Sequence, residues 1–171
     1  CLSASSALGG TKITSWPSID MPKCTSFVAA WSNCKELTSW GLSDMSSGKQ
    51  IYSAWTSCSK LTAMPAGIAF PSTTTLSSAW SNCTSLTDFP ANAFDTTGTL
   101  VGLAFNAAFT NCALTAASVE NILVSLDANG QSDITLGLNG GTNAGKSTWT
   151  AAANNAYDSL IAKGWTIQFN A

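Results

Sequence analysis

The chain has 171 residues, enough for one domain with a real core, and carries seven lysines against nine acids for a net charge of −2. Hydrophobic residues make up 45% and charged residues only 9%, so solubility rests on Ser, Thr, Asn and Gly. There is no arginine, no histidine and no basic cluster, which excludes nucleic acid as a partner and His-dependent catalysis; no apolar run approaches the ~18 residues of a membrane span, and no signal peptide is recognisable.

The chain opens at Cys1 without an initiator methionine and reads as the C-terminal part of a longer polypeptide. Residues 7–17 look like a degraded first copy of a repeat, keeping only its strand half. The repeat itself is FVAAWSNCKEL at 27–37, IYSAWTSCSKL at 51–61, LSSAWSNCTSL at 76–86 and FNAAFTNCAL at 105–114. Its anchors hold register: Trp31, Trp55, Trp80 and Phe109, then Cys34, Cys58, Cys83 and Cys112, with steps of 24, 25 and 29 residues between cysteines. A fixed period of ~20–50 residues predicts stacked supersecondary units, hence a solenoid, an architecture that presents extended surfaces to partners.

Each unit divides in two. One half is a short strand: ITSW at 13–16, LTSW at 37–40, LTAM at 61–64 and LTDF at 86–89, closed by Pro17, Gly41, Pro65 and Pro90. Turns rich in Ser, Thr, Asp and Gly follow. The other half is predicted to be one or two helical turns. Phe27 and Trp31, Ile51 and Trp55, Leu76 and Trp80, and Phe105 and Phe109 each lie four apart, on one helix face. Four extra residues, at 100–103, precede the last helix.

The register cysteines are expected to form a buried thiol column, and the register aromatics an inward ladder. Cys1 and Cys24 fall outside the register, which leaves open a bridge between them. Trp16 and Trp40 also point inward. That leaves Ser15, Ser39, Ala63 and Asp88 as the exposed positions of the strand halves, and so as candidate ligand-binding residues. An apolar turn at 68–70 is expected to be exposed.

After Cys112 the pattern changes. Thr115 is a predicted N-cap for a helix with Val119, Ile122, Leu123 and Leu126 on one face and Gly130 at its end. A strand at 134–138, a helix over 148–163 with Gly164 at its end, and a strand at 165–169 complete a helix–strand–helix–strand cap. The chain thus divides into repeats at 1–114, about four units with the first partial, and a capping module at 115–171.

LSSAWSNCTSLTDFP at 76–90 resembles the BspA-like leucine-rich repeat, and the units at 27–40, 51–65 and 105–114 share its pattern. Residues 113–169 are similar to the C-terminal module that follows such repeats in tailed-phage tail-fibre and adhesin-like proteins. The resemblance implies an α/β solenoid: a leucine-rich-repeat arc with short parallel strands on the concave side and short helices on the convex side. It also implies a non-enzymatic virion-surface or adhesion module, part of a phage tail fibre, whose partners are a host cell-surface glycan or protein and other virion subunits. A structural decoration or spacer domain, or a bacterial cell-surface adhesin, are the alternatives.

Three motifs point elsewhere and fail on context. GGTNAGKS at 140–147 fits the P-loop expression, but only 24 residues follow it, with no room for a nucleotide-binding sheet. Register cysteines a whole unit apart do not make a zinc site. Asp20, Glu36, Asp44, Asp88 and Asp95 could pair for glycoside hydrolysis, yet none sits among aromatics. No cofactor, metal or catalytic residue is assigned.

Overall fold

Each copy of the repeated phrase folds as a chain of tight turns, not as helix. In the copy at 27–34, the N–H groups of Ala30, Ser32 and Cys34 donate to the carbonyls of Phe27, Ala29 and Trp31 at 3.1, 3.2 and 3.1 Å, three residues back rather than four. Ala29 and Asn33 have φ of 50° and 61°, in the left-handed region that a right-handed helix cannot use. The same pair recurs as Ser53 and Ser57, Ser78 and Asn82, and Ala107 and Asn111. The N–H groups between point outward to the next copy: Ala29 to Tyr52, Trp31 to Ala54 and Asn33 to Thr56, at 2.9, 2.9 and 2.7 Å. The i, i+4 spacing still buries Phe27 and Trp31, at 0% and 1% exposure, because two successive turns bring every fourth side chain back to one side.

This overturns both the expected α/β solenoid and its leucine-rich-repeat arc. The structure is a computed structural model that describes residues 3–171. Among them are two α-helices and five short strands in two small parallel sheets. Among the described residues no helix lies before residue 116, so they hold no convex layer of helices. Nor is there a concave sheet. β1 (Ser15–Trp16) pairs with β2 (Ser39–Trp40) over two residues, the next two strand halves share a single bridge, Ala63 with Asp88, and isolated bridges join Ser26 to Gln50 and Gln50 to Thr75. Pro17, Gly41, Pro65 and Pro90 stop each strand half before a ladder can lengthen. The fold is a small α/β domain.

Two finer expectations are corrected with it. The first copy is not reduced to a strand half: Ser6 and Gly10, at φ 54° and 74°, repeat the turn pair, and Ser6, Leu8 and Gly10 donate to Val28, Ala30 and Ser32. The turn at 68–70 is not an exposed apolar patch, since Ile68 and Phe70 are 2% and 0% exposed.

The second sheet gathers β3 (Gly102–Phe105), β4 (Ile134–Gly137) and β5 (Thr166–Gln168) in parallel. The extra residues of the last copy lead into β3 rather than into a helix, turning at Gly102 with φ 47°. Helix α1 (Ala116–Asn129) crosses from β3 to β4, and α2 (Ala151–Ala162) from β4 to β5. Thr115 caps α1 by accepting the Ser118 N–H, and Gly130 ends it at φ 79°. Thr150 caps α2 through the Ala153 N–H. A 3-10 turn at Lys146–Thr148 precedes α2, which starts at Ala151 rather than at the expected 148.

One apolar core runs through both parts. Trp31, Trp55, Trp80 and Phe109 stack with ring centroids 5.5, 5.4 and 4.9 Å apart and planes within 11°. Trp16 and Trp40 make a second stack at 5.4 Å, set edge-on to the first.

Candidate functional site

The structure places the four predicted ligand-binding residues in two neighbouring pairs. Ser15 pairs with Ser39 and Ala63 with Asp88, and the Thr62 hydroxyl reaches the Thr38 carbonyl at 3.4 Å to join the two pairs. Ser15, Ser39 and Asp88 are exposed and Ala63 is half-buried.

A row of threonines runs beside these pairs. Thr14, Thr38, Thr62, Thr87 and Thr115 follow the aliphatic residue of each strand half, and all but Thr87 are exposed. The hydroxyls of Thr38, Thr62 and Thr115 donate to the carbonyl of the preceding threonine at 2.9, 3.4 and 3.3 Å, and that of Thr87 lies 3.3 Å from the Thr62 carbonyl while sharing its one proton with Asp88 at 2.7 Å. These bonds fix the side chains in one orientation. The signal was present in the sequence, as Thr after every Ile13, Leu37, Leu61, Leu86 and Leu114, but a search for charged or aromatic groups passes over it.

The carboxylates are occupied locally rather than paired. Asp20 Oδ1 accepts the Asp44 N–H at 3.0 Å, and Asp44 Oδ1 accepts the Ser46 N–H at 2.8 Å. The hydrogen bonds from Ser46 hold the Asp44 pKa below the ordinary carboxylate value. Glu36 is lowered too, first by its hydrogen bond with Lys60 and then by that lysine's charge; the pair is 2.6 Å apart at the surface. Asp88 accepts the Thr87 hydroxyl, and Asp95 the Ser125 hydroxyl. Asp20 and Asp44 border a shallow recess of about 300 Å³ together with Leu42, Gly67 and Pro71.

The register thiols act as hydrogen-bond donors inside the core. Cys34, Cys58, Cys83 and Cys112 donate to the carbonyls of Leu8, Trp31, Trp55 and Trp80 at 3.0–3.1 Å. Burial pushes Cys58 and Cys112 up to about 12 and Cys83 well above its ordinary value. These groups stay thiols at neutral pH, whereas a nucleophile or metal ligand must be thiolate. Cys24 is buried and disulfide-bonded; the question of its pairing with Cys1 falls outside the described residues. Five buried indole N–H groups, of Trp16, Trp31, Trp40, Trp55 and Trp80, lack a hydrogen-bond acceptor. Neighbouring rings set edge to face, such as Trp31 and Trp40 at 4.4 Å and 78°, offer ring faces as the weak acceptor that remains.

The P-loop-like segment is a packing element. Gly140 and Gly141 have φ of 74° and 58°, and a Cβ on either would strike Asn111 or the Cys112 carbonyl. Lys146 places its Nζ 3.7 Å over the Tyr157 ring, and α2 begins only at Ala151, so no helix N-terminus faces the loop as a phosphate cradle requires. Among the described residues, no group of three or more acidic, Cys or His side chains is close enough to hold a metal, and no helix is long and apolar enough to cross a membrane.

No protein family matches the chain, and neither a curated protein nor a solved structure is similar to it.

Proposed function

We propose that this chain is a non-enzymatic binding module displayed on a virion surface, as part of a phage tail fibre or a similar exposed protein. In this reading it engages a host-surface component, most simply a glycan, through Ser15, Ser39, Ala63 and Asp88 and the row of Thr14, Thr38 and Thr62. The observation that carries the reading is the bonded threonine row: the hydroxyls of Thr38, Thr62, Thr87 and Thr115 each bond the carbonyl of the threonine before it, on a face with little charge. Such a face contributes many weak contacts, which copy number on a particle multiplies.

A second reading, a decoration or spacer domain that contacts only other virion subunits, draws on a different observation. Val101 and Leu103 are 71% and 63% exposed on either side of Gly102, an apolar knuckle apart from the threonine row. A bacterial cell-surface adhesin would use the same threonine face from a different location.

The test is binding of the protein, multimerised on beads, to intact bacterial cells and to a panel of their surface polysaccharides. The first reading expects saturable binding that a purified glycan competes away and that Thr38→Lys with Thr62→Lys abolishes. Binding unchanged by that double variant sinks the assignment of the face. Silence across the panel with Val101→Asp disrupting association with virion subunits establishes the second reading instead.

A further inference from the structure

The hydrogen bonds within the threonine row give it a polarity. A hydroxyl has one proton to donate and two lone pairs to accept with. The protons of Thr38 and Thr62 are committed to the carbonyls of Thr14 and Thr38, at 2.9 and 3.4 Å. The Thr87 proton is held between Asp88 Oδ2 at 2.7 Å and the Thr62 carbonyl at 3.3 Å. Among the described residues no donor reaches the hydroxyl oxygens of Thr38, Thr62 or Thr87. Asp88 is exposed and, as a carboxylate, can only accept. These four neighbouring side chains therefore offer solvent lone pairs and no proton.

The backbone behind the row is already engaged. The Thr14 carbonyl takes the Thr38 N–H at 2.8 Å as well as its hydroxyl, and the Thr62 carbonyl takes the N–H groups of Thr87 and Asp88 at 3.0 and 3.2 Å. Leu37, Leu61 and Leu86, each preceding a threonine of the row, are 0% exposed and fix that backbone to the core. The row closes at Thr115, whose oxygen is taken up by Ser118: it accepts that N–H at 3.3 Å in capping α1. Beside the row, the Ser39 hydroxyl is uncommitted and can give or take a proton.

We propose that the row is an acceptor track that selects a linear glycan by its free hydroxyl or amino groups, one donated to each of Thr38, Thr62 and Thr87. The inference rests on the glycan reading above and adds the chemical class of the sugar. Neighbouring strands lie about 4.8 Å apart, so a linear chain laid along the row brings donors to successive copies. Glycans whose outer groups only accept, such as O-methylated or sulfated chains, leave the lone pairs of the row unmet, and a sulfate also meets the charge of Asp88. Such unmade bonds at desolvated groups are what reject a ligand of nearly the right shape.

The test is binding of the protein, multimerised on beads, to linear glucan and mannan hexasaccharides that carry hydroxyl, amino or fluorine at the same ring position. Fluorine stays close to the size of a hydroxyl and removes its proton. The hydroxyl and amino forms are expected to bind, and the fluorinated form to bind at least about tenfold more weakly than the hydroxyl form. Thr38→Val with Thr62→Val keeps the branched shape of the row and removes its acceptors, so it lowers binding of the hydroxyl form by at least about tenfold, whereas Thr38→Ser with Thr62→Ser holds it within about threefold. Fluorinated glycans that bind as tightly as their parents, or a valine pair that binds like wild type, overturn the inference and leave glycan binding itself standing. Silence towards every form overturns both. The fluorinated series uses the unaltered protein, so it decides the matter whether or not the valine pair folds.

Discussion

Residues 3–114 and 115–171 share one apolar core but satisfy their backbones in opposite ways. In the second region the N–H groups of α1 and α2 are met four residues back, within one element. In the first, only alternate N–H groups close local turns, and the rest bond to a different copy more than twenty residues away. Regularity of sequence is thus not regularity of helix. A left-handed residue at every fourth position converts what would be a helical face into a run of turns whose free donors hold the copies together.

The largest effect that sharpens this comparison is expected at Trp55. It is fully buried and stacked between Trp31 and Trp80, so Trp55→Ala removes contacts from three copies at once. A loss of about 3–5 kcal/mol in urea unfolding is expected. An unchanged midpoint would break the picture of a shared ring column.

Asn143 comes next, because it ties the two regions together. Buried at 4% exposure, its Oδ1 accepts the Leu114 N–H and its Nδ2 donates to the carbonyls of Phe109 and Leu138, at 2.9, 2.8 and 2.8 Å. Asn143→Ala strands three backbone groups and should cost about 2–3 kcal/mol. A loss much smaller than that, measured by the same unfolding experiment, would mean the regions are held by apolar packing alone.

The sign of an Ala-to-Gly change separates turns from helix directly. Ala29 has φ 50°, so Ala29→Gly relieves a left-handed strain that offsets the entropy glycine adds to the unfolded chain, leaving stability unchanged or raised by up to about 1 kcal/mol. Ala156 lies inside α2, where the same change should cost about 1 kcal/mol or more. Equal losses at both positions would restore a helix at 27–34.

The smallest effect is at the surface. Glu36 has a lowered pKa in the folded protein, so its pairing with Lys60 stabilises above the unfolded value of 4.5 and is lost as pH falls through the lowered folded value. Thermal unfolding of Glu36→Gln should therefore differ slightly from wild type at neutral pH and coincide with it in strong acid. A difference that persists in acid would place the effect in packing instead.

Legibility followed the range of the interactions. The Thr115 cap, the Gly130 stop, β4 and β5 were readable because capping and strand chemistry act over a few residues. The turn pairs were not. Ala29, Ser53, Ser78 and Ala107 carry no left-handed signature, and only Asn33, Asn82 and Asn111 hinted at one. Likewise nothing local distinguishes Thr38 from any other solvated threonine. Its place in a row exists only once Thr14 and Thr62 lie beside it.

By itself the sequence determined that the register aromatics and cysteines of each copy are buried, where α1 begins and ends, and that the chain carries little charge, because hydrophobic spacing, caps and composition are local properties. Only the tertiary structure decided that the copies become turns rather than helices, that their strand halves stop at two residues or a single bridge, and that Thr38 and Thr62 lie in one row. Those outcomes depend on where each backbone N–H finds its acceptor, and within the repeated phrases alternate N–H groups find theirs in another copy.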